Sequence, residues 1–168
     1  MKARLEVDPG DRRGGGRSAR VRLEASDATL VASLQAELAG NRLRIERAQV
    51  AAPGSAGIRT QLAGQVGIAA PWPVALAGDF RDFDPSQLLA TPAGRLSGTW
   101  RLDGHFADAA GGRLRAEVAL ASSRLRGLAL AGEAAATIAL DAGRARRVSA
   151  VDIRLDWGAS TIAATGAL

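Results

Sequence analysis

Between Arg95 and Phe106 the chain alternates without an error. Leu96, Gly98, Trp100, Leu102, Gly104 and Phe106 share one parity, and Arg95, Ser97, Thr99, Arg101, Asp103 and His105 share the other. A helix turns by about 100° per residue and would scatter both sets around its circumference, whereas a strand sends successive side chains to opposite faces. The alternation therefore demands a sheet with one apolar face, although the abundant alanine and leucine favour helix intrinsically.

The pattern recurs along the chain. Ala19, Val21, Leu23 and Ala25 oppose Ser18, Arg20, Arg22 and Glu24; Leu30, Ala32, Leu34, Ala36 and Leu38 oppose Thr29, Ser33, Gln35 and Glu37, with Val31 a misfit. Leu43 and Ile45 oppose Arg42, Arg44 and Glu46, and Ile58, Leu62, Val66 and Ile68 oppose Arg59, Gln61 and Gln65. Val74, Leu76 and Phe80 share a face, as do Leu114, Ala116, Val118 and Leu120, and then Val151, Ile153, Leu155 and Trp157. The stretch from Leu128 to Leu140 is weakest, because alanine fills both sides. Turn signals separate the runs: Asp8-Pro9-Gly10-Asp11, Gly14-Gly15-Gly16, Gly40-Asn41, Pro53-Gly54-Ser55, Pro71-Trp72-Pro73, Gly111-Gly112 and Asp141-Ala142-Gly143. Strands recurring at this spacing predict an all-β chain of about ten amphipathic strands. One short helix is expected near 84–90, where Asp84 offers an N-cap, Pro85 the first helical position and Gln87 a capping-box partner, with Pro92 beyond its end.

Hydrophobic residues make up 47% of the 168 positions, enough for a core, but aromatics only 4%, so the apolar mass is Ala, Leu, Val and Ile. The net charge of +5 comes almost wholly from arginine, and it is interleaved with carboxylates rather than gathered into a basic patch. No cysteine is present, which excludes disulfides and thiolate metal sites. Met1 to Gly10 has no apolar core of a signal peptide, and no apolar run is long enough for a transmembrane helix. The chain stops inside a strand pattern, and residues 1–168 read as a single segment of a longer protein with no domain boundary of its own.

Catalytic chemistry is hard to place. His105, the only histidine, falls on the polar face, and without cysteine it leaves neither a metal cluster nor a nucleophile pair. Asp79, Asp82 and Asp84 form the closest acidic set, read as loop residues and a helix cap. No glycine stretch has a phosphate-loop pattern. The expectation is a chain that is not an enzyme and has no cofactor or metal. Binding to single-stranded nucleic acid needs aromatics among basic residues, and here Phe80, Trp100, Phe106 and Trp157 all lie on the apolar side. No nucleic-acid partner is expected.

One spacing stands out. Leu-x-Gly occurs at Leu38–Gly40, Leu62–Gly64, Leu76–Gly78, Leu96–Gly98, Leu102–Gly104, Leu125–Gly127 and Leu130–Gly132, more often than its 20 glycines would place it by chance. Such glycines mark either coiling of the sheet or room for a bound apolar chain. A sheet of about ten strands, on the order of 45 Å wide, must have its apolar face covered by a second sheet, by its own curl or by a ligand. An acyl chain of about 16 carbons costs on the order of 13 kcal/mol to expose to water, so a continuous aliphatic trough suits a lipid. A plain β-sandwich is equally compatible with the periodicity.

The stretch from Trp72 to Gly132 resembles the TamB family, the inner-membrane-anchored component of the bacterial translocation and assembly module. The resemblance lies in Trp72-Pro73-Val74, Leu76-Ala77-Gly78, the Phe83-Asp84-Pro85 turn, Pro92-Ala93-Gly94-Arg95-Leu96-Ser97-Gly98, Trp100-Arg101-Leu102-Asp103-Gly104 and Ser123-Arg124-Leu125-Arg126-Gly127-Leu128. Trp157-Gly158 to Gly166 fits the same style, and AsmA-like groove proteins share this strand grammar. The resemblance implies a long, twisted open sheet folded into a β-taco, an apolar groove spanning the periplasm and tethered to the inner membrane in the full-length parent. It implies outer-membrane protein assembly and phospholipid transport between membranes, with acyl chains as ligand and a barrel-shaped outer-membrane partner. The family offers no catalytic residues. What transfers is the inward apolar set: Leu23, Leu34, Leu43, Ile45, Leu62, Val66, Leu76, Phe80, Leu96, Trp100, Leu102, Phe106, Leu114, Val118, Leu120, Leu130, Ile138, Ile153, Leu155 and Trp157. The alternative is a structural or adhesive β-solenoid or sandwich without ligand.

Overall fold

The computed structural model describes residues 2–9, 18–26, 31–51, 59–84, 86, 92–106, 111–140 and 147–167. Its strands are β1 (Lys2–Pro9), β2 (Ser18–Ser26), β3 (Val31–Ala39), β4 (Arg42–Ala51), β5 (Arg59–Gly67), β6 (Pro73–Phe83), β7 (Gly94–His105), β8 (Gly112–Leu125), β9 (Leu128–Leu140), β10 (Arg147–Trp157) and β11 (Ser160–Gly166). They form one 11-stranded sheet in strict sequence order. Every pairing is antiparallel, from β1 with β2 to β10 with β11. The all-β expectation holds. The strand that the alternation reading passes over is β1, which takes in Asp8 and Pro9, assigned from sequence to a turn. The alanine-rich stretch is the full-length strand β9. The helix expected near 84–90 lies outside the described residues except at Asp84 and Ser86.

Tight turns join several neighbours. Gly40 opens the β3–β4 turn at φ +56°, and Arg126-Gly127 make the β8–β9 turn with φ +53° and +79°, the signature of a type I′ hairpin. In several strands the apolar spacing changes parity part-way along, and a β-bulge at the change keeps the set on one face. In β4 the register skips between Ile45 and Ala48, so Ala48 and Val50 continue the face that Leu43 and Ile45 began. Comparable shifts occur in β6 between Phe80 and Phe83, in β8 between Leu120 and Ser123, and in β10 between Val148 and Ala150. Asp82 and Ser122 take positive φ of 53° and 52° at two of these bulges. Asp79 and Asp82 therefore belong to a strand and its bulge, not to a loop, because the extra residue lets β6 keep pairing through Phe83.

The sheet is a single layer. Every pair of strands that packs extensively is a pair of sequence neighbours. The accessible surface is 11707 Å², against about 7,800 Å² for a compact monomer of this mass. No side chain among the described residues is fully buried; the most shielded apolar ones are Ala36, Val74, Leu114 and Leu130, at 4–9% exposure. Neither a second sheet nor a parallel coil is present among the described strands.

Candidate functional site: an uncovered apolar face

Residues directly opposite across a strand pair share a face, so the registers trace the apolar surface in rows. One row runs Leu23, Leu34, Ala48, Leu62, Gly78, Trp100, Val118, Ala134, Ile153 and Ala164. A second runs Ala36, Ile45, Gly64, Leu76, Leu102, Ala116, Ala136 and Val151. A third joins Leu38, Leu43, Val66, Val74, Gly104, Leu114 and Ile138. A fourth joins Thr60, Phe80, Gly98, Leu120, Gly132, Leu155 and Ile162. Leu96 sits opposite Phe83, and Leu130 lies between Ser123 and Trp157. The sheet thus gathers onto one face every apolar residue expected there except Phe106. That residue follows the last residue of β7 and is exposed at the sheet's end, because the pairing with β6 stops at His105 opposite Pro73.

The Leu-x-Gly spacing resolves into three uses. Gly40 and Gly127 are turn residues. Gly64, Gly104 and Gly132 lie inside strands at φ between +137° and +148°, where L residues are strained, and a Cβ at each would strike the neighbouring strand's backbone. They are places where only glycine fits the backbone. Gly78 and Gly98 also press against neighbouring backbone, at Gln61 O and Ala119 O, and in addition lie under rings: a Cβ on Gly78 would stand 2.8 Å from the Trp100 indole, and one on Gly98 would stand 3.1 Å from Phe80 Cζ. The gaps at the five glycines inside strands are filled by backbone, and at two of them by aromatic rings as well, rather than left open for a ligand. Phe80 and Phe83 meet edge to face with centroids 6.4 Å apart, and Trp157 Nε1 donates to Leu125 O at 3.3 Å. The aromatic residues therefore concentrate in β6, β7 and β10, while β2–β5 present an aliphatic surface.

The reverse face carries charge mostly in alternating sign, with Arg95 opposite Arg124 an exception. Arg4 faces Glu24, Glu6 faces Arg22 and Asp8 faces Arg20. Arg20 faces Glu37, which faces Arg44. Arg101 faces Glu117, Asp103 faces Arg115 and Glu133 faces Arg154. Along one strand, Arg115 Nε donates to Glu117 Oε1 at 2.7 Å. Paired in this way the positive surplus forms no basic stripe, and no aromatic side chain stands among these arginines. Hollows of about 510 Å³ and 610 Å³ lie mainly among these charged side chains, the first around Arg101, Arg115, Glu117, Glu133 and Asp152, the second around Arg44, Glu46 and Gln65. His105 is exposed at the end of β7, opposite Arg113. No group of three or more metal-ligating side chains occurs among the described residues.

Two features of the face have only weak sequence signals. Ser123, 3% exposed, fills the β8 bulge. Its hydroxyl accepts from Ser97 N–H and donates to Ser97 O, both at 2.9 Å, which replaces the ladder bonds that the bulge removes. Ser97 Oγ in turn accepts from the backbone N–H of Asp82 at 3.2 Å, so one serine of β7 links both bulges. At the sheet's end Asp84 Oδ1 accepts from Ser86 N–H, Ser86 Oγ–H and Gly94 N–H, at 3.0, 2.8 and 3.2 Å. The bonds from the Ser86 hydroxyl and backbone, followed by that from Gly94, lower the Asp84 pKa below the ordinary carboxylate value. Comparison with known proteins found no matching family model, no matching curated protein and no matching solved structure.

Proposed function

We propose that this chain is a non-catalytic segment of a TamB-like conduit whose apolar face shields phospholipid acyl chains, or nascent outer-membrane strands, in the periplasm. The observation that carries the reading is the apolar surface that crosses the sheet from Leu23 to Ile162 with no layer packed on it among the described residues. Ten strand spacings of about 4.8 Å and strands of about ten residues give a face on the order of 1,600 Å². That is several times the apolar patch of an ordinary soluble monomer and calls for a partner. Aliphatic side chains on a smooth face suit an acyl chain, which asks for apolar area and no directional bonds.

In the full-length parent the same face continues toward the inner membrane on one side and a barrel-shaped outer-membrane partner on the other. Extended client segments join by strand addition at an open sheet edge. Native mass spectrometry of the chain purified from a bacterial envelope tests this reading. Co-purifying phospholipid supports it, and a persistently lipid-free protein favours a structural or adhesive sheet whose face is sealed by other protein.

A further inference from the structure

We propose that the loop rim bearing Ile68, Trp72 and Phe106 is a contact surface for an anionic phospholipid bilayer. These three large side chains stand at one end of the sheet, where β5, β6 and β7 meet. They are 50%, 36% and 41% exposed. Their backbones are tied down: Ile68 N–H donates to Asn41 O at 2.9 Å, Trp72 N–H to Ala69 O at 2.8 Å, and Phe106 N–H to Trp72 O at 3.2 Å. The exposure is therefore held by structure, with Pro71 and Pro73 on either side of Trp72.

The charges nearest them among the described residues are arginines, and the first carboxylate inward, Asp103, stands opposite Arg115. Arg42 pairs with Gly67, next to Ile68, and Arg113 pairs with His105, next to Phe106. Among the described residues of this rim, 39–42, 67–74, 104–106 and 111–114, there is no carboxylate; Asp108 falls outside the described residues. The opposite rim mixes Asp82 and Asp84 with Arg81, Arg95, Arg124 and Arg126. An indole prefers the headgroup level, and Ile and Phe reach the acyl boundary. Arginines beside them favour lipid phosphates. A protein partner would need a matching pocket or knob, whereas a bilayer needs only this combination of apolar tips and flanking cations. The inference stands apart from the conduit reading, which concerns the sheet face.

The test is flotation of the 168-residue chain with vesicles of phosphatidylcholine plus phosphatidylglycerol and with phosphatidylcholine alone. The expected result is binding to the anionic vesicles, weakened by salt, and a loss of roughly tenfold or more in Ile68→Ser/Trp72→Ser, with far-UV circular dichroism unchanged. In a Trp100→Phe/Trp157→Phe background, lipids brominated near the headgroup should quench Trp72. The proposal is overturned if the native chain floats with neither vesicle, or if the double variant floats as well as the native chain. It is also overturned if sedimentation velocity shows the rim joining two copies instead. Lipid carried on the sheet face is read separately by mass spectrometry, so failure of one reading leaves the other distinguishable.

Discussion

At the scale of single residues, the polar groups that matter are those that mend interruptions in the sheet. Ser123 is buried and satisfies both backbone groups of Ser97. Ser123→Ala leaves a shielded N–H and C=O unpaired and is expected to cost about 1–3 kcal/mol, measurable by urea denaturation, with faster amide exchange at Ser97. Ser149 does related work at the β10 shift, donating to Thr137 O at 3.0 Å. Asp84 has a sign that pH can check. Its folded pKa lies below its unfolded one, so its contribution is present above about pH 4 and lost as pH falls through the folded value. Amide resonances of Ser86 and Gly94 are expected to titrate together in acid, below the ordinary carboxylate range, and Asp84→Ala should abolish that titration. Little of this was legible in sequence. A serine near a bulge looks like any serine on a strand, and Asp84 was legible only as a cap.

At the scale of elements, what distinguishes these strands is the coupling of bulges and glycines to one continuous face. A strand alternates with period two, so an uncorrected slip sends its apolar set to the other side. The bulges in β4, β6, β8 and β10 add the residue that restores phase. Gly64, Gly104 and Gly132, in β5, β7 and β9, take positive φ where the neighbouring backbone leaves no room for a Cβ. Gly104→Ala forces a Cβ into the backbone at Arg113 at φ +146° and is expected to destabilise by more than about 1 kcal/mol. Gly166→Ala meets nothing within 4 Å and is expected to be neutral. Equal denaturation midpoints for the two variants would contradict this assignment. The Leu-x-Gly repeat was visible in the sequence, but the division between turns, positive-φ strand positions and ring-covered positions required the neighbouring strands.

At the scale of the whole molecule, stability comes from lateral pairing rather than from an enclosed core. Charges added to the apolar face should therefore be tolerated by the fold. Leu102→Arg with Ile153→Arg lies on two rows of that face, both residues half-buried. The expected outcome is a folded, strand-rich protein by circular dichroism that no longer crosslinks to photoactivatable phospholipid. Unfolding of the variant would point instead to a sealed core and to the rival sheet without ligand.

The sequence alone determined the strand class, the turn positions at Gly40-Asn41 and Pro71-Trp72-Pro73, and the facing of nearly every apolar residue from Leu23 to Trp157. All of these follow from local alternation, which survives in any antiparallel arrangement. Tertiary structure decided the order of pairing, the single layer that the described strands form, the phase corrections and the rim position of Phe106. Those depend on which backbone groups meet across strands, and a side-chain period two residues long carries no record of its neighbour's register.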